Sequence, residues 1–176
     1  MADVERTDAQ RGQSVVRAPG EGHVISFGDA GEATLKAVSR DSAGTMSAYE
    51  FAIPPATAGP PLHLHRGWDE AFYVLEGEMT FLIDGRTSTA PAGSFIFIPR
   101  GILHTFWNES AAPAKQLTVF TPAGIEAYFE EVTRVIAAGD DTLEAATALM
   151  EKHDMIVPPG TRQAYGALTR SEAPEG

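Results

Sequence analysis

The chain has 176 residues, enough for one domain that buries its own core. Its 13 basic and 24 acidic residues leave a formal charge of −11, which argues against nucleic acid or an anionic membrane as partner, since both demand a basic patch. With no cysteine, disulfides, thiolate metal sites and cysteine nucleophiles are excluded, and 17 glycines with 12 prolines suit a β-rich protein with many tight turns.

Residues 1–20 are polar and mixed in charge and read as a flexible segment. Met1 to Gln13 lacks the apolar core of a signal peptide, and no apolar run reaches the length of a membrane span, so the expected location is cytoplasmic. Across residues 21–121 short β-favouring runs alternate with turns. They are Val24–Phe27, Thr34–Val38, Met46–Ile53, Phe72–Leu75 and Met79–Ile83, then Arg86–Thr89, Ser94–Ile98, His104–Trp107 and Lys115–Phe120. Asp84-Gly85 between two of these runs is a two-residue hairpin signal. Many short strands with regular turn punctuation predict an all-β sandwich or barrel.

After Thr121-Pro122 the period changes, and residues 122–156 read as a helical segment. Ile125, Tyr128, Phe129, Val132 and Ile136 recur at helical spacing and predict an amphipathic helix over Gly124–Ala138. Gly139-Asp140-Asp141-Thr142 breaks the chain and offers caps for a second helix over Leu143–Lys152. These helices have two readings, a lid or dimer contact near the mouth of the barrel, or simple packing on the outside of one sheet. Residues 157–176 read as a strap and tail.

The chemistry sits in two blocks. The first runs from Gly59 to Gly77 and contains His63, His65 and Glu70; the second runs from Gly93 to Asn108 and contains His104. In an extended strand positions i and i+2 point the same way, so His63 and His65 present two imidazoles side by side. Gly67 and Asp69 suit a turn that returns Glu70 toward them, and His104 follows the turn-like Pro99-Arg100-Gly101. Three imidazoles and a carboxylate are natural ligands of Fe, Mn, Ni, Co or Zn. The remaining histidines, His23 and His153, read as surface or packing residues.

These blocks resemble the paired signature of the cupin superfamily. The second fits at Gly93, Pro99, Gly101, His104 and Asn108, and the first at His63, His65, Glu70 and Gly77. The first departs at its opening glycine, where Thr57 stands and the nearest glycine is Gly59. That position shapes a loop and is not a ligand. The resemblance is strong over residues 45–121, and each motif occurs once. It implies a single-domain cupin β-barrel (a double-stranded β-helix, jelly-roll-like) with C-terminal α-helices. It also implies one divalent transition metal per chain, held by His63, His65, Glu70 and His104.

Such a ligand set leaves two neighbouring positions of an octahedron open, so a chelating substrate, or a substrate and O2, can bind side by side. Bacterial quercetinases have this set, and the chain is similar to them in motif, size and layout. The implied activity is a metal-dependent dioxygenase that cleaves an enolic, flavonol-like aromatic with O2, with Glu70 as catalytic proton acceptor. Two alternatives stay open: a non-catalytic small-molecule-binding cupin, and a metal-assisted cyclase or isomerase of secondary metabolism.

Alternation assigns the neighbours of the ligands: Phe72 and Val74 share a face with Glu70, and Phe106 shares one with His104, leaving Thr105 and Trp107 opposite. Tyr49 and Phe51 share a face whose direction depends on the register. Trp68, in the turn between His65 and Glu70, either gates the site or caps the barrel edge. With Phe72 and Phe106 these aromatics are the candidate pocket for an aromatic substrate. Exposed sheet edges need covering, which predicts a homodimer through Met46–Ile53 and the Gly124–Ala138 helix.

Overall fold

The computed structural model describes residues 12–139 and 142–159. In chain order its elements are β1 (Val24–Ser26), β2 (Glu32–Ala37), α1 (Ser39–Ser42), β3 (Ser47–Ile53), β4 (Leu64–His65), β5 (Asp69–Glu76) and β6 (Glu78–Ile83). There follow β7 (Arg86–Pro91), β8 (Phe95–Ile98), β9 (His104–Trp107), β10 (Ala114–Thr121), α2 (Glu126–Ala137), α3 (Leu143–Lys152) and β11 (Met155–Ile156). The expected segments 1–20 and 157–176 lie largely outside the described residues.

Alternating side chains sort the strands into two antiparallel layers that face each other. The larger sheet has the order β1-β2-β3-β10-β5-β8 and the smaller β7-β6-β9. Ile83 and Arg86 pair across the Asp84-Gly85 turn, and both turn residues take positive φ, 47° and 75°. That is the backbone a two-residue hairpin needs to match strand twist.

The inner faces meet in an apolar core. Phe72 and Val74 of β5 pack with Ile53, Ile98 and Ala114 of the same sheet and with Met79 and Phe81 of β6. The Phe72 ring lies 5.2 Å from Phe81 and 5.4 Å from Phe106. Burying each such phenylalanine is worth roughly 1.5–3 kcal/mol. The far end of the barrel is closed differently. Tyr49 and Phe120 on the large sheet pack with Ile125, Phe129, Met150 and Met155 from the C-terminal segment. Phe129 is the centre of this cluster, with its ring 4.9 Å from Tyr49, 5.9 Å from Phe51 and 6.2 Å from Phe120.

The two C-terminal helices thus pack their apolar faces into the barrel mouth and not on the outside of one sheet. α3 occupies the expected residues, and Ala145 N donates to Thr142 Oγ1 as its cap. The short β11 pairs with β4, Met155 opposite His65, and ties the end of α3 to the histidine-bearing segment. β3 is paired on both edges, by β2 and β10, so it has no free edge to offer a partner chain.

Candidate metal centre

Backbone pairing delivers the histidines. His63 N donates to His104 O (3.0 Å) and His104 N to His63 O (2.8 Å), so the two residues face each other across one antiparallel bridge. Gly101 N donates to His65 O (2.8 Å), holding the turn of the second block against the first. Glu70 points inward from β5, opposite Phe120 on one side and Ile98 on the other. All four side chains are buried.

One clamp was missed by the sequence reading. Asp69 faces away from Glu70 and accepts from Arg100 N (2.9 Å), Nε (3.0 Å) and Nη2 (2.8 Å). This bidentate pair pins the turn before His104 to the strand that carries Glu70. The Arg100 hydrogen bonds hold the Asp69 carboxyl down at about 2.

Hydrogen bonding on the outer side of the rings sets their tautomers. His63 Nδ1 lies 2.8 Å from Pro61 O and His104 Nδ1 2.9 Å from Ile102 O. A carbonyl only accepts, so each Nδ1 carries its proton, and in the neutral ring Nε2 turns a lone pair inward. Those inward atoms converge. His63 Nε2 lies 3.3 Å from His65 Nε2, and Glu70 Oε2 lies 3.2 Å from His65 Nε2 and 3.0 Å from His104 Nε2. Acceptors at such distances repel unless protons or a cation lie among them.

Electrostatics narrows that choice. Burial, together with His104 and His65, pushes the His63 imidazole well below its ordinary range and keeps it neutral. Burial acts to raise Glu70, while hydrogen bonds from His104 and His65, when those rings carry a proton on Nε2, outweigh it and lower the carboxyl to about 2. Buried imidazole nitrogens and an ionised carboxylate form an N3O donor set, which fits a borderline divalent metal.

The site opens on a cavity of about 430 Å³. His63, His65 and Glu70 line one end. Phe51, Phe106, Phe120, Tyr128 and Phe129 supply aromatic walls, with Val132, Ala146 and Met150 from the helices above. Apart from His63, His65 and Glu70, the polar side-chain groups among the described lining residues are the Thr142 and Tyr128 hydroxyls and the Trp107 indole N–H, and none of those residues is a lysine or arginine.

Of the expected pocket residues, Phe51 and Phe106 line this cavity, whereas Tyr49, Trp68 and Phe72 do not. Phe72 shares the Glu70 face but lies deeper, in the core between Phe81 and Phe106. Tyr49 is covered by Phe129. Trp68 stands beside His65, ring centroids 5.8 Å apart, and outside the lining. Trp107, placed by alternation on the opposite face, does line it, and so do Tyr128 and Phe129. The helical apolar stripe was the sequence signal for those last two. His23 is exposed, and His153 lies 3.4 Å from Glu131 on the helices; neither approaches the centre.

The cupin domain model, Cupin_2, matches residues 49–120. Over 67 residues the chain is 33% identical to quercetin 2,3-dioxygenase of Bacillus subtilis, a match covering 38% of this chain and only 20% of that protein. Among solved structures, KdgF from Halomonas sp. superposes with a TM-score of 0.58 at 15% identity over 65% of this chain and 99% of that one. An RmlC-like cupin from Shewanella frigidimarina gives 0.55 at 20% identity, covering 65% and 97%. Oxalate decarboxylase of Lactobacillus farciminis gives 0.52 at 24% identity, covering 60% of this chain and 32% of that one. At these identities the structures speak to fold alone. Residues 49–120 thus match the cupin domain, and the fold is that of a cupin, one all-β barrel capped by C-terminal helices with a buried histidine cluster able to bind a metal.

Proposed function

We propose that this cupin is a metal-dependent dioxygenase that cleaves an enolic, flavonol-like aromatic compound with O2. The observation that carries the reading is the contrast within the cavity, with His63, His65 and Glu70 at one end and a largely apolar, aromatic wall elsewhere. A substrate held there places its oxygens at the ligand end and buries an apolar body against Phe51, Phe106 and Phe129. Away from the ligand end, a phosphate or second carboxylate of a substrate meets no basic side chain among the described lining residues, and burying such charge unpaired is costly. The Bacillus subtilis relative, named for quercetin, supports the same substrate class.

A metal held by His63, His65, Glu70 and His104 would polarise substrate oxygens as a Lewis acid and, if redox-active, exchange electrons with O2. The protein's own groups do the rest. Glu70, ionised, accepts the proton as the substrate O–H bond breaks, leaving an oxyanion at the ligand end. α2 and α3 line the cavity with the apolar side chains of Val132, Ala146 and Met150, which gives the substrate's apolar body a wall to pack against.

The test is optical. Protein loaded in turn with Fe(II), Mn(II), Co(II) and Ni(II) is mixed with a flavonol, first without and then with O2. The visible band is expected to shift as the hydroxyl ionises and to bleach under O2. Glu70→Gln is expected to retain metal and lose turnover by ~10²–10⁴-fold. A shift with no bleaching for any metal identifies a binding cupin; turnover without O2 uptake identifies a cyclase or isomerase; no shift excludes this substrate class.

A further inference from the structure

The three imidazoles of the centre are not held alike. His63 and His104 each anchor Nδ1 on a backbone carbonyl and face each other across a main-chain bridge. His65 lacks such an anchor, since its Nδ1 is buried with no hydrogen-bond partner among the described residues. Metal-ligating histidines almost always fix their outer nitrogen on a carbonyl or carboxylate, so this ring must be oriented in another way. Its main-chain oxygen accepts from Gly101 N, which fixes the backbone and leaves the side-chain torsions to packing.

Apolar side chains flank the ring. Trp68 and Phe120 meet it edge-on, with centroids 5.8 and 5.9 Å away and planes at 82° and 73°. Met155, 2% exposed, stands opposite it on β11. Arg66 N donates to Asp154 O (3.4 Å), so the next pair along, His65 with Met155, falls in the non-hydrogen-bonded register, where facing side chains stand closest. Asp154 turns the chain from α3 into β11 at a φ of 63°, and its carboxylate lies 3.3 Å from the Arg66 guanidinium.

We propose that the C-terminal strap β11, acting through Met155, positions His65 for the metal; the inference rests on the metal-centre reading above. His63 and His104 are locked to the barrel by their own hydrogen bonds, whereas His65 takes its orientation from a strand that follows α3. Met155 also lines the cavity, together with Ala146 and Met150 of α3. One side chain thus meets both the space a substrate fills and a single metal ligand. The strap makes His65 the ligand that responds to the C-terminal segment, and leaves the other two indifferent to it.

The experiment is titration of the full chain with Co(II), read from its visible band, in wild type and four variants. Met155→Ala removes the packing. Asp154→Val places a β-branched residue at a positive φ that such residues avoid, and so displaces the strap, whereas Asp154→Asn keeps the backbone and removes only the ion pair. Met79→Ala makes the same truncation, equally buried, in the other core cluster. Co(II) affinity is expected to fall ~10–100-fold in Met155→Ala and Asp154→Val, and to stay within about threefold of wild type in Asp154→Asn and Met79→Ala. X-ray absorption of the Co(II)-loaded chains is expected to count three imidazoles in wild type and Met79→Ala, and one fewer in Asp154→Val. Should Met155→Ala fail to fold, the two Asp154 variants decide alone. Wild-type affinity in both strap variants, an equal loss in Met79→Ala, or a full imidazole count in Asp154→Val overturns the strap's role alone. A wild type that takes up no Co(II) overturns the metal centre, and this inference with it.

Discussion

Asn108 closes the second motif without contributing a ligand atom, and its buried carboxamide shows why that position matters. Its Nδ2 lies 3.3, 2.8 and 2.8 Å from the carbonyls of Ile53, Pro54 and Ala112, and its Oδ1 accepts from Ser110 N and Oγ. One side chain thus joins the end of β3, the loop leading toward His63 and the loop after β9. Asn108→Ala is expected to lose about 2–4 kcal/mol, since several buried polar groups lose their partner together. Asn108→Asp is expected to cost more, because a carboxylate oxygen then faces carbonyl oxygens. Urea unfolding curves check the order, and an aspartate variant milder than the alanine would contradict it. Gly59 has a similar role at the motif's irregular start: a Cβ there would meet Phe106 O at 1.5 Å, so only glycine lets this loop lie against β9. Thr57, standing where the pattern has glycine, forms a backbone bridge with Asn108. The ligand-type residues were legible in the sequence because their chemistry restricts residue type and spacing. The Asp69–Arg100 clamp was not, because a surface ion pair 31 residues apart leaves no periodic trace.

At the scale of elements, periodicity identified the helices and alternation identified strand faces, but neither specified depth or partner. An amphipathic stripe says that Phe129 is buried; that it is buried in the barrel mouth, against Tyr49 and Phe51, follows from the chain path after β10. Alternation likewise put Phe72 on the Glu70 face without saying that it sits below the cavity. The two-residue pairing of β11 with β4 is too short for any pattern to announce. The helices are clasped to each other on the outside by Glu131, which lies 2.6 Å from Lys152 Nζ. If they roof the substrate cavity, filling that roof must block binding and leave the ligands alone. Ala146→Trp is therefore expected to retain metal and weaken flavonol binding by at least tenfold, about 1.4 kcal/mol. An unchanged affinity by optical titration would place the substrate elsewhere.

At the scale of the whole molecule, the two faces of the large sheet differ in character. Inward side chains of β5 and β10 carry a carboxylate, a core and a cavity wall, while the outward side chains of the same strands carry an apolar patch. The fold was legible at this scale because two motifs with turn-forming glycines and prolines constrain a barrel strongly. The exposure of Phe95 and Phe97 on its outer face was not, because alternation alone cannot tell an exposed strand face from a covered one. The proposed function depends on the metal centre, and elemental analysis of the purified chain tests it most directly. Wild type and His23→Ala, which alters an exposed histidine far from the cluster, are expected to carry about one divalent transition metal ion per chain, and His104→Ala to lose most of it. A metal-free wild type, or full occupancy in His104→Ala, would contradict the account.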